Sequence, residues 1–223
     1  MQEVTIPVRV IYTKTGRARY ISHLDTMRSL TRALRRTDLP LWYTQGFNPH
    51  LYMTFLLPLA LGVESLCEIV DLRLTQAMEW DAFKAKISEC LPPGFEVSSV
   101  GAPILPAKSI GWAEYRLELA AAPGEQISLA DAMREMFARE SINVRKKTKK
   151  GEQTVNILPY AALLEVSEDK QGACCVLRLA AGTSVNVSPR LVLEALAASV
   201  GRPLEGRAIL RTRVLDEQLK DFA

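Results

Sequence analysis

Histidine and cysteine are scarce in this 223-residue chain, which has two of the first and four of the second. His23 and His50 stand alone, and Cys67, Cys90, Cys174 and Cys175 contain no C-x-x-C pair, so the ligand spacings of a structural zinc site are missing. No metal is expected. Cys174 and Cys175 alternate sides of an expected strand and read as buried thiols, not as a redox pair. No run of about 18 apolar residues occurs, and the opening MQEVTIPVRVIY has an alternating pattern where a signal peptide has a basic start and an apolar block. A cytoplasmic protein without a membrane segment is expected. The patterns G-x-G-x-x-G and G-x-x-x-x-G-K are absent, which argues against a Rossmann turn or a P-loop. An RNP-type string of aromatics is absent too, so stacking of RNA on a sheet face has no motif behind it.

What is present is charge, unevenly spread. Between Lys14 and Arg36 there are seven Lys or Arg against the single acid Asp25, a local +6 in a chain whose total is only +3. Arg145, Lys146, Lys147, Lys149 and Lys150 add +5, so the remaining residues, which bring the total back to +3, carry a net −8. Segregation of this kind favours a polyanionic partner, with RNA as the first candidate.

At 48% hydrophobic the chain holds enough apolar matter for one large core or two of about 100 residues each. Periodicity predicts a strand over Val8–Tyr12, a helix over Leu24–Arg36, strands at Leu41–Tyr43 and Glu68–Leu74, a helix over Trp80–Leu91 and a strand over Phe95–Val100. The second half reads the same way: strand Glu114–Ala120, helix Leu129–Arg139, paired strands Thr154–Glu165 and Ala173–Leu179, helix Pro189–Val200 with Ser188 as N-cap, and strand Ala208–Val214. The fold class is therefore α+β, with two tandem ferredoxin-like (βαββαβ) units at 1–105 and 112–223 joined through GAPILPAKSIG.

Ser22 and Asp25 form an S-x-x-D capping box at the first helix, and Leu24, Met27, Leu30 and Leu34 make its expected apolar stripe. Arg28, Arg32, Arg35 and Arg36 recur on another side with no acid at matching spacing. Such a ridge either holds phosphates or is paired with acids from elsewhere in the fold. Lys14, Gly16, Arg17 and Arg19 precede the helix start, where cations and free amides suit an anion. The turn Q-G-F-N-P-H follows. If it packs beside the helix start, His23, His50, Tyr43, Gln45 and Asn48 converge with Lys14 and Arg17 into a polar pocket. Phe47 is expected to be buried in the turn, with base stacking as the alternative. The basic run Arg145 to Lys150 reads as a solvated loop or hairpin that doubles as a phosphate-gripping arm.

K-T-G-R-A-R-Y-I-S-H-L-D, R-A-L-R-R, T-Q-G-F-N-P-H and L-P-L-A-L-G-V-E-S resemble, in order from Lys14 to Ser65, the bacterial radical-SAM-linked family known as domain of unknown function 2344. The resemblance implies a radical SAM protein as partner, with a [4Fe–4S] cluster and S-adenosylmethionine in that partner. This chain has no C-x-x-x-C-x-x-C motif of its own, so no cofactor is expected in it.

Taken together these features predict a non-catalytic RNA-binding or substrate-presenting subunit for RNA modification. Lys14, Arg17, Arg19, Arg28, Arg32, Arg35, Arg36 and the second basic run would hold phosphates. His23, Tyr43, Gln45, Phe47, Asn48 and His50 would recognise the target. Two alternatives stand beside it: a metal-independent RNA endonuclease using His23 or His50, and an adaptor whose basic ridge docks on the radical SAM partner.

Overall fold

The computed structural model describes residues 5–121, 127–148, 151–183, 185–204 and 206–222. Among them the fold is mixed α+β, with four α-helices and ten strands. The chain divides into two compact units, the first ending at Ala107 and the second running Lys108–Phe222.

The first unit contains β1 (Ile6–Lys14), α1 (His23–Leu34), β2 (Met53–Phe55), β3 (Glu64–Leu74), α2 (Trp80–Ser88) and β4 (Phe95–Gly101). β1 pairs antiparallel with β3, Val10 opposite Val70, and with β4, Val10 opposite Val100. β2 adds antiparallel to β3, Met53 opposite Leu72, so the order is β4-β1-β3-β2. The alternation of β1 sends Val8, Val10 and Tyr12 into a core with Val70, Leu72 and Leu74, closed by Leu30 and Leu34 of α1 and Phe83 and Ile87 of α2. On the other side of β1, Arg9 grips Asp71 directly across the ladder with two hydrogen bonds of 2.8 and 2.9 Å.

Ser22 caps α1 as its sequence foretold. Its backbone is extended and its hydroxyl accepts from the Asp25 amide at 3.2 Å. The apolar stripe differs from the expected one: Thr26, Leu30, Ala33 and Leu34 are buried, while Leu24 is exposed. At about 100° per residue, Leu24 lies only about 20° from the azimuth of Arg35, so it belongs to the basic side of the helix. Upstream, a 3₁₀ turn over Gly16–Tyr20 is tied to the turn before β4 by Thr15 N–H donating to Gly94 O at 2.9 Å. Gly94 has φ 87°, and a Cβ there would sit 2.6 Å from Thr15 O, so only glycine permits this approach.

The second unit contains β5 (Ile110–Ala120), α3 (Leu129–Phe137), a hairpin of β6 (Asn143–Thr148) and β7 (Gly151–Asn156), then β8 (Ala161–Asp169), β9 (Gly172–Ala180), α4 (Pro189–Val200) and β10 (Gly206–Asp216). Its sheet runs β10-β5-β9-β8, antiparallel throughout. Leu117, Leu177 and Leu179 of its sheet, Met133 and Met136 of α3, and Val192 and Leu196 of α4 are all buried. Glu168 of β8 reaches the start of α3, accepting from the amides of Leu129 and Ala130 at 3.1 Å each and from Ser128 Oγ at 2.6 Å.

Two strand expectations need correction. Leu41–Tyr43 forms no named strand; it contributes isolated bridges from Leu41 to Leu74 and from Tyr43 to Leu51, and the short strand at the sheet is β2. The expected Thr154–Glu165 strand is divided by a 3₁₀ turn over Leu158–Tyr160, where Pro159 has no amide hydrogen to give a ladder. Its first part instead pairs with the basic run to make β6 and β7.

Candidate nucleic-acid interface

The arginines of α1 occupy one side of the helix because its buried residues occupy the other. Arg28, Arg32, Arg35 and Arg36 fall within an arc of roughly 100°, opposite that of Thr26, Leu30, Ala33 and Leu34, and all four are exposed. Their surroundings differ. Arg28 sits 3.3 Å from the Asp25 carboxylate, and hydrogen bonds from Ser22 first and Arg28 second hold the Asp25 carboxyl below the usual carboxylate range. Arg36 donates to Cys90 O at 2.8 Å. Arg35 lies over the ring of Tyr43, 6.0 Å from its centroid. Among the described residues no carboxylate lies within 4.0 Å of the guanidinium groups of Arg17, Arg32, Arg35 or Arg36.

Tyr43 opens a hairpin that projects beyond β3. Trp42 N–H donates to Arg73 O at 2.8 Å, Tyr52 N–H to Trp42 O at 3.3 Å and Thr44 N–H to His50 O at 2.8 Å. At its base Arg73 lies 4.6 Å from the Tyr52 ring centroid and 5.6 Å from that of Trp42. At its neck Thr44 Oγ1 accepts from His50 N–H at 3.1 Å and lies 3.0 Å from His50 Nδ1, which is also 3.2 Å from Asn48 O. The tip, residues 45–49, is exposed, and Phe47 stands fully in solvent. Its expected burial in the turn is therefore corrected: Thr44 and His50 close the neck of the turn, and none of the described residues covers the ring.

Three members of the expected cluster lie elsewhere. Lys14 is buried, at 2% exposure, and donates from Nζ to Ile21 O at 2.8 Å. It continues the inward alternation of Val8, Val10 and Tyr12, so it faces the core and is not a cation open to phosphate. Burial lowers its pKa, with partial compensation from the Glu68 carboxylate. Arg19 is engaged by Glu64 at 3.7 Å and by the Tyr20 hydroxyl at 2.6 Å, contacts that raise its pKa; Glu64 also accepts from Gly16 N–H at 2.6 Å. His23 packs edge-on against Phe55, 5.1 Å between ring centroids. Among the described residues no hydrogen bond or ring contact joins His23 to His50, and Lys14 is buried. Sequence reasoning missed Trp42, Tyr52 and Arg73, whose stacking needs two chain segments to meet.

The backbone of Arg145, Lys146 and Lys147 belongs to β6, and Arg145 is exposed; Lys149 and Lys150 lie outside the described residues. The second unit also holds an open cleft of about 480 Å³ lined by Arg116, Glu118, Glu168, Asp169, Cys174 and Arg207, among others. Four of its five named charged groups have internal duties: Arg116 pairs with Glu118 at 3.3 Å, Glu168 caps α3, and Asp169 accepts from the amides of Gln171 and Gly172. Among the described residues no three His, Cys, Asp or Glu side chains group as metal ligands, and no helix is long and apolar enough to cross a membrane.

A family model described as an uncharacterized protein conserved in bacteria, DUF2344, matches residues 8–189. The chain belongs to that family. No curated protein matches it. A chain in the crystal structure of a Cbf5-Nop10-Gar1 complex is similar at TM-score 0.46 and 12% identity, over 92% of this chain and 48% of that one, so the present chain spans about half its length. An unknown protein from Galdieria sulphuraria is similar at TM-score 0.28 and 12% identity over 91% and 98% of the two chains. CRISPR endoribonuclease Cse3 bound to a 19-nucleotide RNA is similar at TM-score 0.19 and 15% identity, again over 91% and 98%. Overlaps this loose do not bear on what a DUF2344 protein does.

Proposed function

We propose that this protein is a non-catalytic RNA-binding subunit that presents its RNA to a separate enzyme. The observation that carries the reading is the side of α1 where Arg32 and Arg35 are exposed without a carboxylate partner, next to a hairpin that holds Phe47 in solvent. Cations without internal pairing keep their full attraction for phosphate, and an aromatic ring beside them adds a face for a base. Arg17 and Arg36 add exposed cations to the first unit, and the second basic run, from Arg145 to Lys150, is proposed as a phosphate contact of the second unit on the strength of its charge alone. Both units are read as ferredoxin-like, because each has the strand order 4-1-3-2 once the β6–β7 hairpin is set aside. The family resemblance supplies the partner: a radical SAM protein carrying a [4Fe–4S] cluster and S-adenosylmethionine, acting on RNA in the cytoplasm.

The test is a binding titration with fluorescent RNA. Arg32→Glu with Arg35→Glu is expected to weaken binding at least tenfold, while Lys108→Gln, an exposed cation used as control, leaves it unchanged. Unchanged affinity in the double reversal would contradict the assignment. The rival adaptor reading predicts the opposite pattern: no RNA binding by the wild-type protein, and loss of association with the radical SAM partner in the same variant. The endonuclease alternative, using His23 or His50, predicts instead that the purified protein cleaves RNA in the presence of chelator and that His50→Ala abolishes the cleavage.

A further inference from the structure

Resting on the RNA-binding reading above and naming its substrate class, we infer that the site takes single-stranded RNA, with one unpaired base stacked on Phe47 and neighbouring phosphates on Arg35 and Arg32. The tip offers an aromatic face that none of the described residues covers. Phe47 is fully exposed, whereas Tyr43, four residues back, is half-buried under Arg35. Water contact with a whole phenyl ring is unfavourable, and a loose turn would relieve it by folding the ring back. Here the turn is held from relaxing. The Thr44–His50 backbone and side-chain bonds close the neck, His50 Nδ1 sits 3.2 Å from Asn48 O, and the Trp42, Tyr52 and Arg73 stack stiffens the base. The ring is thus preorganised to project, and a bound base can replace the water on it at little further ordering cost.

The ligand that fits follows from which partners have a free flat face. In a duplex each base is covered above and below by its neighbours, and the groove presents edges, sugars and phosphates, so a lone ring on a projecting turn finds nothing to stack on. An unpaired nucleotide offers its whole face, and any base will serve because every base has one. Along an extended arm at about 3.3 Å per residue, the ring of Phe47 and the guanidinium of Arg35 are separated by on the order of 10 Å. A few nucleotides of an extended strand bridge that gap, with a phosphate reaching Arg35 and another reaching Arg32 one helical turn away. The side-chain amide of Asn48, exposed beside Phe47, is placed to read a base edge. The residues that flank Phe47 in the turn, Gln45, Gly46, Asn48 and Pro49, add no large apolar side chain to it.

The experiment compares an unstructured RNA oligonucleotide with a blunt duplex of the same length, using the wild type and the variants Phe47→Ala, Phe47→Leu and Phe47→Trp. The wild type is expected to prefer the single strand by tenfold or more. Phe47→Ala and Phe47→Leu are expected to weaken single-strand binding by roughly 5- to 100-fold, since leucine keeps apolar bulk without a flat ring. Phe47→Trp is expected to restore affinity and to show fluorescence quenching on binding beyond that of the wild type. Equal affinity for duplex and single strand, or wild-type binding by Phe47→Leu, would overturn the inference and leave the RNA-binding reading standing. Failure of the wild type to bind either RNA would overturn both.

Discussion

Lys14 and Arg35 belong to one basic segment yet meet opposite fates, and the difference is set by which side of an element each occupies. Lys14 lies in step with Val8, Val10 and Tyr12 on β1, so the strand that buries those side chains buries its ammonium too, with Ile21 O and Glu68 as compensation. That alternation is visible in V-R-V-I-Y-T-K, but a count of cations hides it. Phe47 shows the converse limit: its type suggested burial, yet none of the described residues covers the ring. Cys175 was legible as a buried thiol from its place in an alternating strand. Burial pushes its pKa up from 9.0 to about 12, so between these values the unfolded chain releases a proton that the native one keeps, and this group's contribution to stability falls as pH rises through that window. Alkylation by iodoacetamide at about pH 8.5, followed by mass spectrometry, is expected to leave Cys175 unmodified in the native protein and to modify it in denaturant. Equal labelling in both states would contradict its burial.

At the scale of elements, helices were read more reliably than strands. α1 and α4 carry serine caps and periodic apolar faces within a dozen residues, so local sequence specifies them. The strand pairing to β3 depends on where the chain returns after an excursion from Arg35 to Tyr52, and no local signal distinguishes Leu41–Tyr43 from Met53–Phe55 as the arm that docks. β6 was legible only as a loop or hairpin: a lysine-rich run has low strand propensity, and its partner β7 is the adjoining stretch of chain. The cap that Glu168 provides to α3 crosses about forty positions of sequence and was likewise invisible. Glu168→Ala is expected to destabilise the protein by about 1–2 kcal/mol, because two amides at a helix start lose a charged acceptor. Urea denaturation checks this, and an unchanged midpoint would show that water replaces the carboxylate without penalty.

At the scale of the whole chain, the mixed α+β class was legible from the alternation of helix and strand periods. The charge imbalance was legible as well, but its use was overcounted. Lys14 is inside, Arg19 and Arg28 have carboxylate partners, and among the described residues Arg32 in α1 and Arg35 and Arg36 just after it are exposed with no carboxylate within 4.0 Å. A smaller positive surface beside a projecting aromatic makes a more specific claim than a broad basic face does. Its most direct test is the salt dependence of single-stranded RNA binding by the full chain. Log affinity is expected to fall linearly with log salt at a slope of about −2 or steeper, since each phosphate contact on a single strand contributes about 0.7 and at least three arginines are open. The triple variant Arg32→Gln, Arg35→Gln, Arg36→Gln is expected to lose about 2 from that slope. Binding with no salt dependence, or a slope that the triple variant leaves unchanged, would contradict the claim that these arginines hold RNA.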